Sequence, residues 1–228
     1  MTIKLYTDVG SGSCRRVNAV VQHLGIDVEQ IKVDLLAGEN RADEFLALSP
    51  SGMVPVLVDS TGEGEDTVLT EASAIMIYLC ENYSTKAILE TGIWPTGTKR
   101  YQVTKWMFWA AEHFRQSAPI YFEEKVIAHL LGNEENIHRI READRMLNRF
   151  AALLDSHLSS RDYVVGNQLT LADFDLAAAL SQISRTLIPY EKYQNIIRWE
   201  KNLNQNIAAW RTTGRDLNNR MNEALSKA

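Results

Sequence analysis

This sequence has few cysteines, no excess of basic charge and no long apolar run. Cys14 and Cys80 are its only cysteines, too few for a disulfide framework and too far apart for a paired metal motif. The formal net charge is −5 and the basic residues are scattered, which predicts no binding to nucleic acid. No apolar run approaches the roughly 18 residues of a membrane span, and the first residues lack the pattern of a secretory signal. We therefore expect a cytoplasmic protein with reduced thiols and no membrane or nucleic-acid partner.

Motifs for metal and dithiol chemistry are missing as well. The five histidines show no HExxH or comparable spacing, so we expect no metal centre. There is no CxxC pair, which argues against a thioredoxin-like dithiol cycle. The hydrophobic share of 45% and the charged share of 23% are those of an ordinary globular protein. At 228 residues the chain has room for one large domain or two smaller ones.

The hydrophobic pattern changes character near residue 90. Before that point, short β-branched runs alternate with helical periodicity in the order β-α-β-α-β-β-α. After it, every long segment has helical periodicity, and the stretch "STKAILETGIWPTGTK" between the two parts has the glycines and proline of a linker. The sequence predicts an α/β domain over residues 1–83, a linker over 84–98 and an all-helical domain over 99–228.

Three possible nucleophiles stand almost side by side in "DVGSGSCRRV", namely Ser11, Ser13 and Cys14. Cys14 continues the helical spacing of Val17 and Val21, so we expect it in the core as an inert, protonated thiol. Ser13 is expected to cap the helix that follows. The protein's own cysteine is therefore not the favoured nucleophile.

Two further motifs each allow a structural and a functional interpretation. In "SGMVPVLV", Pro55 precedes a strand, where a plain turn proline would also fit. In "LTEASAI", Thr70, Glu71 and Ser73 begin a helix. Such residues cap helices, but the N–H groups at a helix N-terminus also bind carboxylates. The residues alone leave both alternatives open.

Five motifs, in their order and spacing, resemble those of the cytosolic glutathione transferases, in particular bacterial, theta- and delta-like members with a serine in the first loop. They are "LYTDVGSGSCRRV", "LLAGENRADEFLALSP", "SPSGMVPVLV", "LTEASAIMIYL" and "LTLADF". The resemblance covers essentially the whole chain and implies a thioredoxin-like α/β domain followed by an all-α helical-bundle domain. It implies a cytoplasmic homodimer that uses glutathione as co-substrate to detoxify hydrophobic electrophiles, with peroxidase activity as a further mode.

The resemblance gives the first loop a role in activating glutathione. Theta- and delta-like enzymes place their catalytic serine at the position of Ser11, whereas beta-like enzymes place a catalytic cysteine at what is Gly12 here. Ser11 would donate a hydrogen bond to the glutathione sulfur and hold it as a thiolate. Ser13 is a second candidate contact to glutathione, and would replace Ser11 if the loop were shifted.

The resemblance also implies where the rest of glutathione binds. The Val54 main chain, beside an implied cis Val54–Pro55 bond, would pair with the cysteinyl part. Glu71 matches the acid that meets the γ-glutamyl ammonium, but Ala72 replaces the serine expected next. The glycine carboxylate would be met near the second helix and just before the proline. The candidates there are Asn40, Arg41 and Met53.

Aromatic and polar side chains are dense in "WMFWAAEHFRQSAPIYFEE" of the second domain. Aromatic residues at this density fill a core more often than they contact a ligand. The family nevertheless keeps its hydrophobic electrophile site in the cleft between the domains, where an apolar pocket is expected. The candidates for contact with the electrophile are Trp109, His113, Arg115 and Tyr121.

Two motifs in the second domain predict structure. "LTLADF" places Thr170 as a helix N-cap with Asp173 at the third helical position, a variant of the capping box. Leu217, Met221 and Leu225 recur every four residues and predict a final amphipathic helix. That helix could lie over the cleft or pack on the bundle.

Two alternative functions remain on the same fold. One is a glutathione-dependent reductase or dehalogenase, in which glutathione would supply every thiol. The other is a non-catalytic binding or stress protein, because Ala72 and Met53 lack the polar side chains that would hold glutathione. Binding to immobilised glutathione, followed by turnover assays, separates the enzymes from the binding protein.

Overall fold

The computed structural model describes residues 2–62, 64–86 and 90–226, and its first part is built on a four-stranded sheet. The strands are β1 (Ile3–Thr7), β2 (Glu29–Lys32), β3 (Val56–Asp59) and β4 (Thr67–Leu69). Their order is β2-β1-β3-β4, with β2 parallel to β1 and the other neighbours antiparallel. Successive residues of β3 point to opposite faces, so Leu57 and Val58 join different hydrophobic clusters.

Three helices complete the first domain: α1 (Gly12–Leu24), α2 (Asp43–Leu48) and α3 (Ala72–Tyr83). The predicted order β-α-β-α-β-β-α is confirmed. Helices α1 and α3 pack together over the face of the sheet that carries Leu57, while Phe45 of α2 packs on the face that carries Val58. Both faces of the sheet are therefore covered.

The second domain is all-helical, as predicted. Its helices are α4 (Gly97–Glu112), α5 (Ser117–Phe122), α6 (Ile137–Leu158), α7 (Leu171–Ala177), α8 (Ile183–Thr186), α9 (Gln194–Asn206) and α10 (Ala208–Leu225). A π-helical turn, Glu123–Ile127, prolongs α5 toward Ala128–Leu130. Residues 87–89 of the predicted 84–98 linker lie outside the described residues.

The predicted capping box at the start of α7 is confirmed. The Asp173 carboxylate accepts hydrogen bonds from the Thr170 N–H at 2.9 Å and the Trp199 indole N–H at 3.0 Å. It also accepts from the Val164 N–H at 2.8 Å. Burial raises the pKa of Asp173 to about 6. This carboxyl group therefore ties three segments of the second domain together.

Helix α10 both packs on the bundle and lies over the first loop. Leu217 and Met221 are buried against Val126, while Leu225 is 37% exposed. The helix packs along α1, and Met221 lies against Gly10. The predicted amphipathic stripe is thus buried for its first two members. None of the described helices, α10 included, is long and apolar enough to cross a membrane.

Candidate functional site

Ser11 is the N-cap of α1, so the expectation that Ser13 caps this helix is wrong. The helix begins one residue before Ser13, at Gly12, which places Ser13 inside the first turn. The Ser11 Oγ accepts a hydrogen bond from the Cys14 N–H at 3.4 Å. A hydroxyl oxygen that accepts in this way keeps its own hydrogen to donate. Ser11 therefore offers a donor at the positive end of a helix dipole.

Cys14 is fully buried, as predicted, but it faces a different part of the core. Instead of joining Val17, it packs with Val54 and Phe45. The difference arises because α1 is covered on more than one side, and Cys14, Val17 and Val21 are all buried. Burial raises the pKa of the Cys14 thiol. A protonated, enclosed thiol is a poor nucleophile.

The loop before β3 contains the cis Val54–Pro55 bond that the resemblance implied. Among the residues that the structure describes, none hydrogen-bonds to the main-chain N–H or C=O of Val54. The Asn40 side-chain amide donates to the Gly52 carbonyl at 2.8 Å, and Arg41 lies beside Gly52, where an added Cβ would meet its Nη1 at 3.0 Å. Asn40 and Arg41 are thus brought to the segment that leads into Val54.

The Met53 side chain points away from the protein and is 63% exposed. Its N–H instead donates to the Ser49 Oγ at 3.3 Å, and its carbonyl accepts from the same hydroxyl at 3.0 Å. Both main-chain groups of Met53 are therefore used to hold the loop. The thioether offers only a weak acceptor to a ligand.

Glu71 is the N-cap of α3, with its side chain exposed and without a capping hydrogen bond. Ala72 is buried and begins the helix. Ser73 is turned toward the second domain, because its hydroxyl donates to Asp175 Oδ1 at 2.9 Å. It therefore does not replace the hydroxyl that is missing at Ala72. The N–H groups of the first turn of α3 have no partner within the helix and form a site suited to a carboxylate.

A buried ionic cluster lies behind the start of α3. Asp175, on α7, is fully buried and pairs with Arg16 and with Arg115, the latter at 2.7 Å. Arg16 also donates to the Ser73 hydroxyl at 3.2 Å. Arg115 is thus placed at the boundary between the domains. Our sequence reasoning missed Asp175 and Arg16, although an acidic residue inside the otherwise apolar run "FDLAAAL" was an available signal.

The aromatic candidates of the second domain occupy different surroundings. Trp109 is half-buried and stacks on Phe114 with ring centres 5.9 Å apart, and His113 stacks on Phe150 at 4.8 Å. Tyr121 is only 2% exposed, and its hydroxyl donates to Asp144. The expectation that Tyr121 contacts an electrophile is therefore corrected: this side chain belongs to the helical core.

Together these groups can bind an anion but offer little covalent chemistry of their own. The Ser11 hydroxyl, the Val54 main chain and the N-terminus of α3 supply donors, while Glu71 supplies an exposed carboxylate. Across residues 2–62, 64–86 and 90–226, no group of three or more His, Cys, Asp or Glu side chains could hold a metal ion. Such a site suits a ligand that brings its own nucleophile.

Comparisons with known proteins agree with this layout. The family models described as glutathione S-transferase N-terminal and C-terminal domains match residues 5–87 and 120–206. Glutathione S-transferase D6 of Drosophila melanogaster is 27% identical over 207 residues, which are 90% of this chain and 89% of that protein. A delta-class glutathione transferase of Nilaparvata lugens has a similar structure, with a TM-score of 0.73 and 25% identity, over 96% of this chain and 99% of that one. Human glutathione transferase theta-2, solved with glutathione and an unknown ligand, has a TM-score of 0.81 and 24% identity, over 97% and 91% of the two chains.

Proposed function

This chain belongs to the glutathione S-transferase family, and we propose that Ser11 holds the sulfur of bound glutathione as a thiolate for attack on a hydrophobic electrophile. The chain is a glutathione transferase, with glutathione as its co-substrate. The observation that carries the proposal is the position of Ser11 at the N-cap of α1. There its oxygen accepts from the helix and its hydrogen remains available to a sulfur anion.

The strength of these interactions matches what thiolate formation requires. Lowering a thiol pKa by about two units corresponds to about 2.7 kcal/mol of preferential stabilisation of the anion. A hydrogen bond to a charged group contributes about 1.5–3 kcal/mol, and a helix N-terminus adds about 0.3–1 kcal/mol. One hydroxyl on α1 is therefore sufficient, without a protein cysteine or a metal.

Glutathione would lie along the edge of the first domain. Its cysteinyl backbone would pair with the Val54 main chain in the manner of an added strand. Its γ-glutamyl ammonium would meet Glu71, and its γ-glutamyl carboxylate would meet the N–H groups at the start of α3. The missing hydroxyl at Ala72 removes about 1.5–3 kcal/mol of binding. The glycine carboxylate would be met by Asn40 and Arg41, which lie beside Gly52.

The reaction would need no covalent intermediate on the protein. The thiol proton passes to solvent as the Ser11 hydroxyl stabilises the thiolate. The thiolate then forms a carbon–sulfur bond to the electrophile, and the leaving group departs with the electron pair of the bond that breaks. Trp109, His113 and Arg115 are the second-domain residues that we propose contact the electrophile, and Ser13 is a secondary candidate for contact with glutathione.

Substitution of the two loop serines tests this assignment. We expect Ser11→Ala to raise the pKa of bound glutathione by about one to two units, through loss of a charge-assisted hydrogen bond. Ultraviolet absorbance of the thiolate measures that pKa, and turnover of chlorodinitrobenzene measures the rate. Ser13→Ala is the comparison at the second serine and should leave the pKa of bound glutathione unchanged, because a contact there would change the affinity for glutathione and not its ionisation. A large effect in Ser13→Ala alone would mean that the catalytic hydroxyl is Ser13.

Assays with other substrates separate the alternative functions. A hydroperoxide tests the peroxidase mode, a mixed disulfide tests a reductase, and a haloalkane tests a dehalogenase. Retention on immobilised glutathione without turnover of any of these would indicate a binding protein. We expect retention and turnover of chlorodinitrobenzene.

We also propose that the protein is a homodimer that associates through α4. Tyr101 and Phe108 lie seven residues apart on this helix, which places them on one face, and they are 74% and 65% exposed. Val68, on the edge strand β4, is a further exposed apolar residue. A second copy of the chain would cover Tyr101 and Phe108, as expected for apolar residues exposed together.

A further inference from the structure

The second domain holds the loop that leads into Ser11, and we propose that Arg220 of α10 is a positioning residue for thiolate formation. This inference rests on the proposed role of Ser11. It concerns residues that contact neither glutathione nor the electrophile in the proposed arrangement. Part of thiol activation is then assigned to α10, a helix that begins more than 190 residues after Ser11 in the sequence.

Arg220 bridges two carboxylates of the first domain. Its Nη2 donates to Asp34 Oδ1 at 2.6 Å, and its Nε lies 3.6 Å from Asp8 Oδ1. The Arg220 side chain is 16% exposed and that of Asp8 is 5% exposed, so solvent screens this contact only partly. Asp8 in turn accepts from the N–H of Gly10 at 2.8 Å and of Leu35 at 3.2 Å. The guanidinium is therefore linked through Asp8 to the residue before Ser11.

Two other side chains of the second domain contact the same loop. The Gln182 amide donates to the Gly10 carbonyl at 2.8 Å, and Met221 packs so closely that a Cβ on Gly10 would meet its sulfur at 3.1 Å. We call Gln182, Arg220 and Met221 the loop clamp. The Ser11 N–H donates to the Asp8 carbonyl at 2.9 Å. The clamp thus fixes the turn that sets the direction of the Ser11 hydroxyl.

Charge adds to this positional effect. Asp8 lies three residues before Ser11, and a negative charge near a sulfur raises the pKa of its thiol. Arg220 supplies a countercharge to both Asp8 and Asp34, whereas Lys32, 68% exposed, pairs with Asp34 at 3.1 Å and with no other carboxylate in the described part of the chain. Loss of Arg220 would therefore release the loop and leave Asp8 without its cation. Both effects oppose formation of the thiolate.

The test compares variants of the full chain by thiolate absorbance and by the pH profile of kcat/KM. We expect Arg220→Met to raise the pKa of bound glutathione by about 0.5–1 unit. Below that pKa, kcat/KM would fall about three- to tenfold, because each unit is a tenfold change in thiolate population. The rate should recover at high pH, with little change in KM for glutathione. Arg220→Lys should keep the thiol pKa close to that of the wild type, because the substitution preserves the positive charge.

Arg215→Met is the matched control, since Arg215 lies on the same helix but its side chain is 71% exposed. It should leave the thiol pKa unchanged. If Arg220→Met also leaves it unchanged while Ser11→Ala raises it, the loop clamp is refuted and the role of Ser11 stands. If Ser11→Ala has no effect on the thiolate, both proposals fail. If Arg220→Met does not fold, Gln182→Met takes its place with the same readout, and an unchanged pKa in that variant refutes the clamp.

Discussion

Asp175 is a buried carboxylate whose charge is balanced by cations from two different parts of the chain. Its side chain is fully buried between Arg16 and Arg115, which lie on different domains. A buried carboxylate is tolerated only when cations and hydrogen bonds replace its hydration. The same contacts hold Ser73 away from the expected γ-glutamyl site. The Asp175 carboxylate therefore contributes both to the stability of the fold and to the shape of the expected γ-glutamyl site.

We expect Asp175→Asn to lower the free energy of unfolding by about 3–5 kcal/mol, because the buried Arg16 and the partly buried Arg115 lose the carboxylate that they share. Denaturant unfolding followed by fluorescence measures this loss. Asp162→Asn is the control, since Asp162 is 74% exposed and pairs with Arg198 at 2.9 Å on the surface. It should cost less than about 1 kcal/mol. Equal small losses in both variants would contradict a stabilising role for the buried cluster.

At this scale, the features that the sequence predicts correctly are those in which a residue acts with its chain neighbours. The burial of Cys14 followed from helical spacing, and the capping box of Thr170 and Asp173 followed from a local motif. The predicted N-cap of α1, Ser13, lies two residues after the observed one, Ser11, because both serines of the loop suit an N-cap. Asp175 was missed because its cations come from positions 16 and 115, and only the fold brings them together.

Helix α10 shows the same limit at the scale of an element. The spacing of Leu217, Met221 and Leu225 predicts an amphipathic helix but not the surface that receives it. In the structure, the stripe packs against Val126 and over Gly10, and Leu225 is left partly exposed. The strands and helices of the first domain were predictable because short β-branched runs alternate with segments of helical periodicity, with turn residues between them.

We expect Leu217→Ala to destabilise the protein by about 2–5 kcal/mol, since it opens a cavity under a fully buried side chain. Leu225→Ala, one turn beyond Met221 on the same stripe, should cost less than about 1 kcal/mol because its side chain is already partly solvated. Thermal and denaturant unfolding measure both. A similar cost at the two positions would show that the whole stripe is buried in solution.

At the scale of the whole molecule, the remaining question is association. We expect Phe108→Glu to convert a dimer to a monomer, because it places a charge in the proposed apolar contact on α4. Light scattering would then report a mass that falls from twice the chain mass of 25.8 kDa to that value. Leu131→Glu, at a side chain that is 70% exposed outside this face, should leave the dimer intact. A monomeric mass for the wild-type protein would contradict the proposed dimer.

The hydrogen bond from Gln182 to the Gly10 carbonyl joins two parts that are easily regarded as separable modules. Consider a chimera that keeps the whole first domain and takes its helical domain from a relative. It would replace all three residues of the loop clamp, Gln182 together with Arg220 and Met221 of α10. The exchange would change the electrophile specificity, and it would also change the thiol pKa of bound glutathione and hence the rate with every electrophile. We therefore expect such a chimera to keep its thiol reactivity only where the incoming helical domain preserves this contact.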